Sequence, residues 1–152
     1  SLMHTLDSAT TVPHTPNVAS PYLLIFRDSH LDAYKTMSAE QRQLLLKQWY
    51  DWYDGLAAAG KLRHGHPLEP GGRLVSATGG RVTDGPFVEG KEVVGGYFLL
   101  TVKSLDEAVE IAKQCPTLRL GLGLTVEIRP VADICPVLHS NAANQGEGAR
   151  RS

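Results

Sequence analysis

The sequence lacks most of the features that announce a function. Its formal net charge is −1 and it holds no Lys/Arg-rich run, so no strong field of one sign draws it to nucleic acid or an anionic membrane. No apolar stretch approaches the ~20 residues that span a bilayer. Only two cysteines occur, Cys115 and Cys135, each followed by proline. They read as unpaired thiols of a reducing compartment, with a disulfide between them left open. GxGxxG, the P-loop, GxSxG, HExxH and CxxC are all missing. That removes sequence support for nucleotide binding, for a serine nucleophile and for a strong metal site. Residues 1–20 have neither a basic segment nor a continuous apolar one, and so do not read as a secretory signal. The expected setting is cytoplasmic, with no cofactor.

What remains is an ordinary globular composition, 42% hydrophobic and 20% charged over 152 residues, enough for one domain. Residues 1–20 are rich in Thr, Ser and Pro, and residues 137–152 are polar. Both read as tails around a folded unit at 21–136. "YLLIF" (22–26) is a predicted strand. Ser38 with Gln41 forms a capping box, and Leu45, Trp49, Trp52 and Leu56 make one apolar stripe. Gly60 stands at the helix end, so a helix is predicted over 38–59. Strands are predicted at 61–68, 97–103 and 124–130, and a small hairpin about Gly79-Gly80 within 73–85. A second helix runs from Ser104, capped with Glu107, to Gln114 ahead of Pro116. The order is that of a ferredoxin-like α+β fold, β-α-β-β-α-β with a hairpin insertion.

The strands add an expectation about assembly. In 22–26 and 97–102 both faces are apolar, whereas an antiparallel sheet with one wet face alternates apolar and polar. Two helices cover only one face. A second copy of the chain is the economical cover for the other, which predicts a homodimer through the sheet face. In the last strand Glu127 and Arg129 point to that second face, lining a cavity or an exposed edge.

Several residues qualify for chemistry. Nine of the fifteen glycines fall between Gly65 and Gly96, so the irregular backbone is concentrated there. Asp84-Gly85 suits a turn, and a carboxylate held rigidly can also accept a proton. Glu89, Lys91 and Glu92 suit a solvated loop, and Glu89 with Lys91 also suits an acid–cation pair at a cavity mouth. Gly95-Gly96 marks a bulge or a close backbone approach. His64 and His66 share a strand face. They suit ordinary polar positions, a general acid/base role, or metal ligation if Asp84 or Glu69 converged on them. Trp49 and Trp52 read as core, while Tyr50 and Tyr53 are placed to line a pocket.

"DGPFVEGKE" (84–92) followed by "GGYFLL" (95–100) resembles the DGPFAETKE signature of the YciI-related (YCII) domain family. "YLLIF", "LAAAGKL" (56–62), "SLDEAVEIAKQCP" (104–116) and "VEIRPV" (126–131) extend the likeness over about 21–132. Val88 stands where Ala is usual. Gly90 stands where Thr is usual, which removes a hydroxyl. The resemblance implies a dimeric ferredoxin-like fold of the α/β-barrel type with a cleft. It also implies relatives among small-molecule enzymes, including dehydrochlorinases and, by fold, muconolactone isomerases. A histidine on the first helix paired with an acidic residue is the catalytic pair it implies, but Trp49 occupies that helix position here. DGPF-type members often occur beside genes for extracytoplasmic-function sigma factors, which suggests an accessory or sensing role.

The resulting expectation is an enzyme performing acid/base isomerisation or elimination on a small organic acid. Asp84 would act with His64 or His66, and Glu89, Lys91, Arg129 and Tyr53 would shape the ligand site. The alternative is a non-catalytic dimeric ligand-binding or sensing module associated with transcription regulation.

Overall fold

The computed structural model describes residues 18–29, 31–86 and 92–139. Four strands build the main sheet: β1 (Ser20–Asp28), β2 (Leu62–Pro67), β5 (Val93–Val102) and β6 (Thr125–Pro130). Their spatial order is β2-β5-β1-β6, with every neighbouring pair antiparallel. This is the ferredoxin-like arrangement that the element order predicts. Helices α1 (Ala39–Ala58) and α2 (Leu105–Ala112) supply the two crossovers. Two 3-10 helices, Leu31–Thr36 and Pro116–Leu120, complete the connections. Between β2 and β5 the chain makes a separate two-stranded ribbon, β3 (Gly71–Val75) and β4 (Val82–Pro86). No helix among the described residues is long and apolar enough to cross a membrane.

Local sequence accounts for the boundaries. Ser38 Oγ accepts from the Gln41 amide at 3.0 Å and Gln41 Oε1 accepts from the Ser38 amide at 2.8 Å. The reciprocal box satisfies two amides that the first helical turn would otherwise leave orphaned. At α2 the box is only half made. Ser104 Oγ caps the Glu107 amide at 3.0 Å, while Glu107 Oε1 takes the Lys103 amide at 2.9 Å. That bond, and the ammonium of Lys61 at 2.9 Å, hold the Glu107 carboxyl below its ordinary range.

Strand alternation places the core. Tyr22, Leu24 and Phe26 of β1 and Phe98, Leu100 and Val102 of β5 face the helices and are buried. Leu56 from α1, Ala108, Ile111 and Ala112 from α2, and Cys115 complete that core. Its densest part is aromatic. Phe26 meets Trp49 and Phe98 edge-on at 5.0 Å each, and Trp52 lies 4.9 Å from Phe98. Such pairs add ~0.5–1.5 kcal/mol each beyond the area they bury. Both cysteines are free thiols, Cys115 buried and Cys135 exposed.

Two expectations are corrected. The Asp84-Gly85 pair is not a turn but lies inside β4, opposite Arg73 and Gly72. The reversal sits at Gly79-Gly80, both with positive φ (63° and 65°), a conformation that glycine adopts without a Cβ penalty. The third main strand begins at Val93 rather than Tyr97, so Gly95-Gly96 lies within it. Phe26 pairs with Gly96 and Arg27 with Val94, which leaves Gly95 as the extra residue of a β-bulge.

Candidate functional site

The C-terminal ends of β1 and β2 and the N-terminal end of β5 meet at one end of the sheet. The middle of α1 spans the helix-side face there, leaving a cleft of ≈ 620 Å³, within the range of small-molecule sites. Its walls are Phe26, Phe98, Trp49, Tyr50 and Tyr53; its floor is the backbone of Gly65, Gly95 and Gly96; Tyr34, Thr117 and Leu124 close the far side.

Two carboxylates line this space, Asp54 exposed on α1 and Asp28 buried within. Continuing the alternation past Tyr22, Leu24 and Phe26 puts Asp28 on the core face, where it is 8% exposed. Asp28 Oδ1 accepts from the Tyr34 hydroxyl at 2.8 Å. Burial, reinforced by that bond and by the charge of Asp28, pushes the Tyr34 phenol far above its ordinary range. Tyr34 therefore stays protonated and remains a donor. The other oxygen lies against the bulge: a Cβ on Gly95 would sit 3.1 Å from Asp28 Oδ2. Any larger residue at 95 would crowd the carboxylate. Among the described residues Asp28 forms no ion pair within 4 Å, a costly state for a buried carboxylate unless something else solvates it.

The aromatic walls are fixed independently. Trp49 Nε1 donates to Thr117 Oγ1 at 2.9 Å, tying α1 to the 3-10 helix that follows α2. Thr117 is itself 2% exposed, so this bond is shielded from competing water. Trp49 is the position at which the resemblance expects a histidine. It does line the cleft with Asp28, but as an indole whose N–H is already engaged.

The expected site residues are dispersed. Tyr53 lines the cleft, as does Tyr50. His66 borders it, yet its ring lies 6.0 Å from Tyr97 and 6.2 Å from His64 on the sheet's opposite face. His64 bonds there to the Tyr97 hydroxyl at 3.1 Å. The bulge between Leu62 and His64 explains this, because it turns both histidines away from the core while Leu62 stays inside. Arg129 and Glu127 are on that outer face, opposite Leu23 and Ile25. Glu127 accepts from Arg27 at 2.8 Å and from Arg129 at 3.3 Å, and these two bonds lower its carboxyl below the usual range, that of Arg27 most. Asp84 stands on the ribbon, its side chain 95% exposed, paired with Arg73 at 3.2 Å. Glu89 and Lys91 lie outside the described residues. Among the described residues no three His, Cys, Asp or Glu side chains gather as metal ligands.

Asp28 is the residue that sequence reasoning passed over. Its signal was present: in "YLLIFRD" the inward set Tyr22, Leu24, Phe26 ends on a carboxylate. The signature stretch is also connected to this place, since the chain enters β5 at Val93, the cleft end of that strand.

Comparison with known proteins agrees with the fold. Residues 22–132 match the family profile of the YCII-related domain. An uncharacterised protein of Rhizobium meliloti (strain 1021) is 41% identical over 51 residues, which cover 34% of this chain and 40% of that protein. The match thus spans about two fifths of the relative's length.

Proposed function

The chain belongs to the YCII-related domain family, and from that premise we propose that it binds a small ring-bearing molecule in the cleft and handles a proton there through Asp28. The observation that carries this reading is a buried carboxylate, held by one phenol, that opens into an aromatic cavity. Asp28 acts as the base, and Tyr34 holds it in place by donating to one oxygen. The other oxygen, which accepts no side-chain hydrogen bond among the described residues, is left to take the substrate's proton. Isomerisation or elimination requires only this step and its return. A positioned carboxylate of this kind typically supplies ~10²–10⁴-fold.

The absence of a histidine from the first helix favours a second reading. With Trp49 in place of histidine, the cleft binds its ligand without turnover and the protein serves as a sensing module. In either case the proposal includes a homodimer across the outer face of the sheet. What supports it is the half-buried apolar set Leu23, Ile25, Tyr97 and Leu99, flanked by the Arg27–Glu127–Arg129 ion pairs. Light scattering at micromolar concentration tests it, and a monomer there removes it.

A thermal-shift screen of small ring compounds on wild type and Asp28→Asn tests the cleft. A ligand at ~100 times its Kd stabilises by about 2.7 kcal/mol. Hits that vanish in Asp28→Asn and change the fluorescence of Trp49 support the reading. Hits that survive the substitution and leave the indole unchanged sink it. Turnover of a hit, or its return unchanged, decides between enzyme and sensor.

A further inference from the structure

The charge inventory of the cleft names a ligand class. Its lining contains two carboxylates, Asp28 within and Asp54 on α1, and not one Lys or Arg among the described residues. Arg27 and Arg129, the nearest candidates by strand position, are committed to Glu127 on the opposite face of the sheet. Aromatic rings from Phe26, Trp49, Tyr53 and Phe98 surround the space. Ring faces carry negative electrostatic potential and attract organic cations, most strongly where water is excluded. Among the described residues Asp28 has one neutral side-chain hydrogen bond and no cation within 4 Å, so its buried charge is incompletely compensated by them. An organic acid would add a like charge to this site and raise the cost.

We propose that the ligand is an organic cation, a primary or substituted ammonium on an apolar ring-sized body, with the cationic head against Asp28 and the body among the rings. The inference rests on the cleft being the binding site. It replaces the organic-acid class expected from sequence, in which Arg129 was among the residues shaping the site; that guanidinium does not line the cleft. The cation completes what the fold leaves open at Asp28 Oδ2, and the ring-lined walls recognise both its charge and its apolar body. Asp54, exposed on α1, adds a second attraction at the mouth.

Three matched probes separate the possibilities: phenethylamine, 2-phenylethanol and phenylacetate. The readout is the pair of indole N–H signals of Trp49 and Trp52 in nitrogen-15 correlation spectra of the full chain at pH 7. The expected result is a saturable shift of the Trp49 signal with the amine bound about tenfold or more tightly than the alcohol, and phenylacetate weakest. In Asp28→Asn the preference for amine over alcohol falls to within about threefold. Should that variant not fold, Asp54→Asn, a change at an exposed helical position, narrows the preference by a smaller factor. Equal binding of amine and alcohol to wild type, or preference for phenylacetate, overturns the cation and leaves the cleft reading standing. No shift of the Trp49 signal with any probe to saturation of solubility overturns both.

Discussion

Asp28 and Asp84 are the same side chain on the same kind of backbone, a β-strand, and the fold treats them in opposite ways. Asp28 ends a strand at the heart of the four-stranded sheet and is 8% exposed. Asp84 belongs to a two-stranded ribbon with an open face, and its side chain is 95% exposed. The first has a phenol for company in an apolar cavity; the second has a guanidinium in water. In water a charge pair is screened and cheap to rearrange. Out of water each charge is expensive, and the groups around it are fixed by packing. The sheet and the ribbon therefore differ in what a carboxylate in each can be made to do.

The largest test of that contrast is at the core. Phe98 touches four aromatic rings, those of Phe26, Trp49, Trp52 and Tyr53. Phe98→Ala is expected to cost about 3–5 kcal/mol in denaturant unfolding. Leu74→Ala on the ribbon removes a side chain that is 49% exposed and should cost well under half of that. Equal costs would mean the ribbon is as tightly packed as the sheet.

The second test uses pH. Burial pushes the Cys115 thiol up from 9.0 to about 11, opposed by backbone hydrogen bonds and aided by the charge of Asp28. A raised folded-state value gives stability that is complete below pH 9 and is lost as pH rises towards 11. Integrated over that window it amounts to at most about 3 kcal/mol. Tyr34, also raised, continues the loss above pH 10. Melting temperature followed from pH 8 to 11 should fall in wild type and fall less in Cys115→Ala. Parallel curves would show that the thiol is not what titrates.

The third test sets one glycine against another. A Cβ at Gly65 would lie 2.5 Å from Phe98 Cδ1 and 2.7 Å from the Tyr97 carbonyl oxygen. One at Gly71 on the ribbon meets nothing within 4 Å. Gly65→Ala should destabilise by about 1–3 kcal/mol through overpacking. Gly71→Ala should be neutral or slightly stabilising, by restricting the unfolded chain. A tolerant Gly65 would show that the cleft floor can give way.

How much of this was legible in the sequence follows from the physics of each signal. Period-2 and period-3.6 patterns, the Ser38 box and the Gly79-Gly80 reversal are local, and they gave the sheet, both helices and the hairpin. The bulges are not local. Gly95-Gly96 announced one of them, but the bulge before His64 is set by pairing across to Leu99 and Leu100. It turned both histidines to the outer face. Asp28 was readable from its strand's alternation. It was overlooked because a charged residue at a strand end reads as a solvated terminus unless the roof above it is known. That roof comes from the helix and the 3-10 turns, joined by the Trp49–Thr117 bond across 68 positions of sequence.

The smallest expected effect is the most informative for the signature itself. Asp84 pairs with Arg73 at 3.2 Å, with side chains 95% and 71% exposed. Pairs of this kind gain little, since water screens the attraction and two long-range side-chain freedoms are lost to hold it. Asp84→Asn should therefore move Tm by no more than about 2 °C, and 0.5 M salt should erase even that difference. Phenethylamine affinity should also be unchanged in this variant. A small Tm shift with affinity intact assigns Asp84 to the ribbon's surface. A loss of affinity with Tm intact would break the contrast between the two aspartates, because it would require the carboxylate of Asp84 to act on the cleft when ligand is bound. The same titration with Arg73→Gln then separates the two explanations: a role for the ion pair predicts the same loss, and a direct role for the carboxylate predicts none.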